Sequence, residues 1–374
     1  MFAVQEPRRL ASRAVYLLPI LCWSLSAGYL FASESDKSSA SKDTDAAYLL
    51  SKASQGNVKE EIMLASNYYA GRGVERDFVQ SAHWYQKAAD QGNPDAQVQI
   101  GYFYKMGIGV PQDSAKAAMW YERAAASGSA SGLRNLAVVY LNGSGVKKDV
   151  ALGAQLMERA AEKGDVHAEA YLGNIYYSGW GVPADREKGE KWMQVAAKHG
   201  CAEAEFALAS LWSITPEHPH DLAKAASLLR SSVKGGYVNA MHSLGLLLVN
   251  NPGLMREGDD PAGLLQMAAE AGMWKSSVTL GILARQGKLI KKDNATAYRW
   301  LLVAQMQGGQ EAASLVAGLR EATAAEMKEE ERVVCEKSAK EWVEEHQSSK
   351  LLLLSNGMEK GAFPMDSVPI PNKT

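Results

Sequence analysis

The sequence predicts an all-α protein, an αα-solenoid built from 36-residue helix–turn–helix units. Three observations carry that prediction. Gly56, Gly92, Gly128, Gly164, Gly200, Gly236, Gly272 and Gly308 stand 36 residues apart. Apolar columns recur in the same phase: Leu64, Ile100, Leu136, Leu172, Leu208, Leu244 and Leu280 form one, and Tyr68, Tyr104, Tyr140 and Tyr176 begin another that becomes Trp212 and then Leu248. An acidic column of Asp77, Asp113, Asp149, Asp185, Asp221 and Asp293 keeps the period, with Glu257 filling its gap. A fixed period of this length marks a repeat architecture, in which no single unit buries its apolar face alone.

Residues 93–128 show how one unit is made. Ala96, Ile100, Phe103 and Tyr104 fall at helical spacing and mark one apolar stripe. Gly101 sits on that stripe, where a missing side chain lets another helix approach closely. Gly107-Ile108-Gly109-Val110-Pro111 then breaks the helix. Asp113 is the expected N-cap of a second helix, which carries Ala117, Trp120, Tyr121, Ala124 and Ala125 on its buried side. Gly128 ends it in the left-handed conformation that glycine adopts at little cost. One unit is therefore helix A, a short loop and helix B.

The pattern Ala-x-x-x-Leu-Gly-x-x-Tyr, then Gly-x-Gly-Val, Asp and Ala-x-Trp-Tyr-x-x-Ala-Ala closely resembles the Sel-1-like repeat, a relative of the tetratricopeptide repeat with a longer A–B loop. Its loop motif stands at Gly71-Arg72-Gly73-Val74, Gly107-Ile108-Gly109-Val110, Gly143-Ser144-Gly145-Val146 and Gly179-Trp180-Gly181-Val182. The likeness spans residues 46–320. Seven full units fill residues 57–308, with half-units at each end, and the resemblance implies a right-handed superhelix. The later loops depart from the motif: residues 215–218 read Thr-Pro-Glu-His, 251–254 read Asn-Pro-Gly-Leu, and 287–290 keep one glycine.

The flanks read differently. Arg8, Arg9 and Arg13 precede an apolar run over residues 14–32, a basic-then-apolar order that fits an export signal or an uncleaved membrane anchor. Residues 1–32 are therefore expected to direct the chain to the periplasm or anchor it in the inner membrane, or to deliver it to a secretory lumen in a eukaryote. Residues 33–43 read as a flexible linker and 44–320 as the solenoid. A charged capping helix is expected over 321–347, with Thr323 and Glu326 as its capping box and Val334, Cys335, Ala339 and Trp342 as its apolar side. Residues 348–374, which include four leucines at 351–354 and several prolines, read as a disordered tail.

Chemistry is sparse. The formal net charge is −2, which offers no basic face for nucleic acid. Three cysteines, Cys22, Cys201 and Cys335, match no zinc or redox spacing. Cys201 and Cys335 stand almost four units apart and are not expected to pair; Cys201 is expected to be partly exposed and Cys335 to lie in the core. His167-Ala168-Glu169 lacks the Pro-Cys-x-x-Cys of a zinc deaminase. Ser231-Ser232-Val233-Lys234 lacks the companions of a penicillin-recognising enzyme. His218, His220 and Asp221 cluster in a divergent loop, where a polar loop is a simpler reading than a metal site. No cofactor, metal or obligate small molecule is expected, and no enzyme activity; the alternative is an envelope hydrolase acting on cell-wall material or β-lactams.

The expected function is an adaptor for a protein or peptide partner, as the family resemblance also implies. Recurring positions serve packing, so recognition falls to positions that vary between units. Helix A offers a stripe at its third, sixth, tenth and thirteenth positions, on one helical face; in the tetratricopeptide fold the matching positions line the concave groove. Here the stripe reads Lys59, Ile62, Ser66 and Tyr69, then Asp95, Val98, Tyr102 and Lys105. It continues with Ser131, Arg134, Val138 and Leu141, then His167, Ala170, Asn174 and Tyr177, then Glu203 and Phe206, and later His242 and Leu246. Aromatic and arginine side chains are the usual anchors of protein interfaces, so binding is expected to depend on Tyr69, Tyr102, Arg134, Tyr177 and Phe206. The bland alternative is that the apolar members pack only between adjacent A helices.

Overall fold

A computed structural model describes residues 39–214 and 221–355. Its described residues form sixteen α-helices and one 3-10 turn, with no strand among them. The described residues divide into two compact bodies, one up to residue 199 and one from residue 200. The segment read as signal or anchor lies outside the described residues, as do residues 33–38 of the linker and 356–374 of the tail; residues 39–43, read as flexible linker, and 348–355, read as disordered tail, are instead helical. Among the described residues no helix is long and apolar enough to cross a membrane.

In the N-terminal body, α1 (Ser39–Ser54) packs on α2 (Val58–Ala70), and four A–B pairs follow. These are α2 with α3 (Phe78–Asp90), α4 (Pro94–Met106) with α5 (Ser114–Ala126), α6 (Ala130–Asn142) with α7 (Val150–Glu162), and α8 (Val166–Ser178) with α9 (Arg186–Lys198). Helices α3, α5 and α7 also pack on the next A helix, so the core runs continuously through the body. Its first part gathers Leu64, Trp84, Tyr85, Ile100, Phe103 and Trp120.

The C-terminal body repeats the scheme with α10 (Ala202–Ile214) and α11 (Leu222–Lys234), α12 (Val238–Asn250) and α13 (Pro261–Glu270), and α14 (Trp274–Gln286) and α15 (Asn294–Ala324). Helix α16 (Glu329–Ser355) closes it against α15. Helix α15 is two helices joined at Gly309, whose φ of 57° and ψ of −139° are non-helical.

The columns have the physical roles their residue types suggest. Asp77, Asp113, Asp149, Asp185, Asp221 and Asp293 each accept a hydrogen bond from a backbone N–H in the first turn of a B helix, a cap worth about 1 kcal/mol. Gly71, Gly107, Gly143, Gly179 and Gly287 end A helices in the left-handed region. The loop closes where the N–H of Asp77, Asp113, Asp149, Asp185 and Asp293 returns to helix A, as Asp113 N does to Tyr104 O at 2.8 Å.

Five expectations about single residues need correction. Glu257 does not cap α13: that helix starts one turn late and Asp260 caps it through Gly263 N. Gly308 lacks the positive φ of the other members of its column, because Gly309 takes the turn. The closing helix begins at Glu329; Thr323 is buried in the last turn of α15, where its hydroxyl donates to Leu319 O. The buried side of α16 is Cys335, Ala339 and Val343, and Val334 is 66% exposed. Cys201 is also more buried than expected, at 3% exposure, and forms no disulfide with Cys335.

Candidate protein-binding face

The A-helix stripe of the N-terminal body is open at both ends and closed in its middle. Lys59 and Asp95 are exposed, and Ile62, Tyr69, Val98, Tyr102, Lys105, His167, Asn174 and Tyr177 are half-buried. Arg134 and Leu141 are only 5% and 1% exposed, and Val138 and Ala170 are buried with them. Helix α6 lies between α5 and α7 and also touches α4, so its stripe has become part of the packing. Leu141, Val138 and Ala170 are taken up in packing, Leu141 against Gly153 of α7. In the C-terminal body, Glu203 and Phe206 are half-buried, and Phe206 packs on Tyr237 with ring centroids 5.2 Å apart. His242 contacts the buried Ser276 hydroxyl through Nδ1 at 2.8 Å, a link inside the stack.

The three tyrosines of the N-terminal stripe are held differently. Tyr69 leans on Phe78 and Phe103, with centroids 5.4 and 5.7 Å away. Burial raises its phenol pKa, opposed by the charge of Arg76. Tyr102 lies edge-on to Phe103 at 6.5 Å. Tyr177 sits under the guanidinium of Arg186, 5.6 Å from the ring centre. Each ring thus presents an aromatic surface anchored from behind or capped by a cation.

Charge gathers between α4 and α6. The Arg134 Nε contacts both Asp165 oxygens at 3.0 Å, a pair in which both side chains are almost fully buried. Asp165 also caps α8 through Ala168 N. Burial, with the charge of Arg134, pushes the Lys105 amine down to about 8. Burial raises the Tyr121 phenol, with the nearby Tyr102 raising it further and Arg134 opposing. In the C-terminal body, burial and the charge of Lys275 push His242 down to about 4.

One polar column escaped the sequence reading. The fifth position of helix A holds Glu61, Gln97, Glu169, Glu205 and Ser277, all buried. Several of them meet residues near the end of the helix B that follows. Gln91 donates to Glu61 at 2.7 Å, His199 Nδ1 lies 2.8 Å from Glu169, and Ser277 donates to Gln307 at 2.9 Å. The 36-residue period was visible there; the burial was not, since glutamate ordinarily marks a solvated face.

The stray motifs resolve locally. The Ser231 hydroxyl donates to Glu205 at 2.5 Å and the Ser232 hydroxyl to Ala202 O at 2.6 Å, so both serve packing contacts. His218 and His220 lie outside the described residues.

Five stretches of the chain match the Sel1 repeat family, at residues 61–93, 94–129, 130–165, 166–201 and 280–308. A solved Sel1 repeat protein from Oxalobacter formigenes is 27% identical, with a TM-score of 0.60, over 67% of this chain and 99% of that one. The protein c5321, a protective antigen of uropathogenic Escherichia coli strains with the same type of fold, is 24% identical with a TM-score of 0.44, over 89% of this chain and 77% of that one. The agreement in fold rests on the Oxalobacter structure. No curated protein matches the chain.

Proposed function

Because the chain is a Sel1 repeat protein, we propose that it is a non-enzymatic adaptor whose N-terminal body holds a protein or peptide partner along its A-helix face. Sel1 repeat proteins generally serve as protein-interaction scaffolds. The observation that carries the finer reading is the half-buried row of Tyr69, Tyr102 and Tyr177 beside Lys59, Asp95, Lys105 and Asn174. Large rings fixed by packing lose little freedom on binding, and polar neighbours supply specificity. The test compares partner capture by the intact chain with capture by a Tyr102→Ala, Tyr177→Ala double variant and by a Val79→Ala, Met119→Ala control on the B helices. Partners lost with the tyrosines and kept with the control support the reading; equal loss or equal retention refutes it.

The same reading places the solenoid on the non-cytosolic side of a membrane, supported by the basic segment ahead of the apolar run over residues 14–32. A reporter fused after Lys42 that is active only in the cytosol would overturn that location.

A further inference from the structure

We propose that the C-terminal body carries a self-complementary face: the basic loop at residues 288–292 of one copy docks on the first turns of α16 of a second copy, and the reverse, about a two-fold axis. The occupant is a second copy of this chain, and the inference stands apart from the A-helix docking face.

The loop differs from its counterparts. Leu289 is the one non-glycine residue with a positive φ among the described residues, at a position where the earlier units hold Gly73, Gly109, Gly145 and Gly181. A left-handed backbone is unfavourable for leucine, and here the side chain is exposed as well. Its neighbour Ile290 packs against the core, so the loop is held while Leu289 stands in water. Lys288, Lys291 and Lys292 flank it and are exposed. None of the three forms an ion pair among the described residues. Asp293, the carboxylate next in sequence, feels the charge of Lys291 but is engaged in capping α15 through Ala295 N and Thr296 N.

The first turns of α16 supply the opposite half. Glu329, Glu330 and Glu331 open the helix, Val333 and Val334 follow, and all five are exposed. Glu330 makes no hydrogen bond or ion pair among the described residues, and Glu329 reaches Arg332 only at 4.0 Å.

The two halves lie side by side on one body. Just past the loop, Asn294 donates to Glu326 at 3.0 Å, and the Cys335 thiol donates to Ala295 O at 3.4 Å. The loop therefore ends beside the start of α16. A face with a basic half next to an acidic half, each bearing exposed apolar side chains, pairs with itself under a two-fold rotation, because residue i meets j and j meets i. Opposite charge fixes the register, and the leucine and valines add apolar contact. An anionic membrane would attract the loop but repel the glutamates beside it. A formal net charge of −2 sets little repulsion between copies.

The test measures the mass of the full chain by sedimentation equilibrium across a wide range of concentration. The wild-type chain is expected to form a dimer that weakens with salt. The double variant Lys291→Glu, Lys292→Glu makes both halves acidic, and Glu329→Lys, Glu330→Lys makes both basic; each alone is expected to be monomeric. Mixed in equal amounts they should form a heterodimer, since each contact then joins opposite charges, and a variant that had failed to fold could not be rescued in this way. Leu289→Gly should weaken the dimer by about tenfold although it relieves the backbone. A wild-type chain that is monomeric at every concentration, association unchanged by either double variant, or two variants that stay monomeric when mixed overturns the face. Vesicles of phosphatidylcholine with and without phosphatidylglycerol separate the other occupant: binding to the anionic vesicles alone, lost in Lys291→Glu, Lys292→Glu and seen without a dimer, assigns the loop to a membrane surface and overturns the second copy.

Discussion

Gly173 of α8 and Gly189 of α9 meet backbone to backbone: a Cβ on Gly189 would lie 2.6 Å from the Gly173 carbonyl oxygen and 2.6 Å from Tyr177 N. The same crossing recurs through the fold with small residues on both helices. Ser81 donates its hydroxyl to Ala65 O at 2.7 Å, a Cβ on Gly153 would stand 3.0 Å from Ala137 O, and one on Gly281 would stand 3.2 Å from Ala297 O. The A–B crossing is therefore set by backbone contact, and side-chain bulk is pushed to its two sides. Gly189→Ala is expected to destabilise the N-terminal body by about 1–3 kcal/mol, although alanine is the better helix former. Urea unfolding checks this; an unchanged midpoint would mean the helices separate without cost.

The loop glycines make a second prediction. Gly109 has a φ of 66°, and a Cβ there would run into the Phe78 carbonyl at the start of the preceding B helix. Gly181 meets Val150 in the same way, with a Cβ 2.6 Å from its carbonyl oxygen. Leu289 occupies this position in the last full unit and keeps a φ of 65°. It can do so because α13 lacks its first turn: Gly258, the register partner, is outside the helix, and a Cβ there would meet nothing within 4 Å. Gly109→Ala should destabilise, whereas Leu289→Gly should stabilise by about 1 kcal/mol by relieving left-handed strain. Thermal melts of the two variants moving in the same direction would contradict this account.

These positions also show what the sequence could reveal. Period, helix order, caps and left-handed glycines were legible because each is a local requirement repeated many times, as at Asp113 and Gly128. The docking stripe was legible only in part. Spacing puts Arg134 and Leu141 on the same face as Tyr102, but whether that face is open depends on how closely α6 sits against its neighbours. The buried acid at Glu61 depends on Gln91, thirty residues away. The start of α16 was misread because Thr323 and Glu326 mimic a cap, while the bend at Gly309 lets α15 run on through Thr323.

Arg134 is consequently a poor probe of partner binding taken alone. Arg134→Ala removes one member of a buried pair and strands Asp165, which is expected to cost about 3–5 kcal/mol. Circular dichroism melts should show a large loss of stability for Arg134→Ala and a small one for Tyr102→Ala. The reverse order would place Arg134 outside the packed interior.

His242 gives the C-terminal body a pH dependence. Folded, its imidazole stays neutral down to about pH 4; unfolded, it gains a proton near pH 6.5. The folded pKa is depressed, so the contribution of the neutral ring is complete above about pH 6.5 and is lost as pH falls toward 4. At pH 5 the loss amounts to about 2 kcal/mol. His242→Asn should flatten the difference between urea midpoints at pH 7.5 and pH 5 by about that amount. A wild-type difference retained in the variant would assign the dependence to other groups.

The central claim is that the A-helix face of the N-terminal body is where a partner sits. Site-specific photocrosslinking in the native host tests it most directly. A photoreactive residue would replace Tyr102 or Tyr177 on that face, and Val79 or Met119 on the B helices. The account predicts one shared crosslinked partner from Tyr102 and Tyr177, competed away by the purified intact chain, and little from Val79 or Met119. Equal crosslinking from both faces, or crosslinks confined to the B helices, would contradict it.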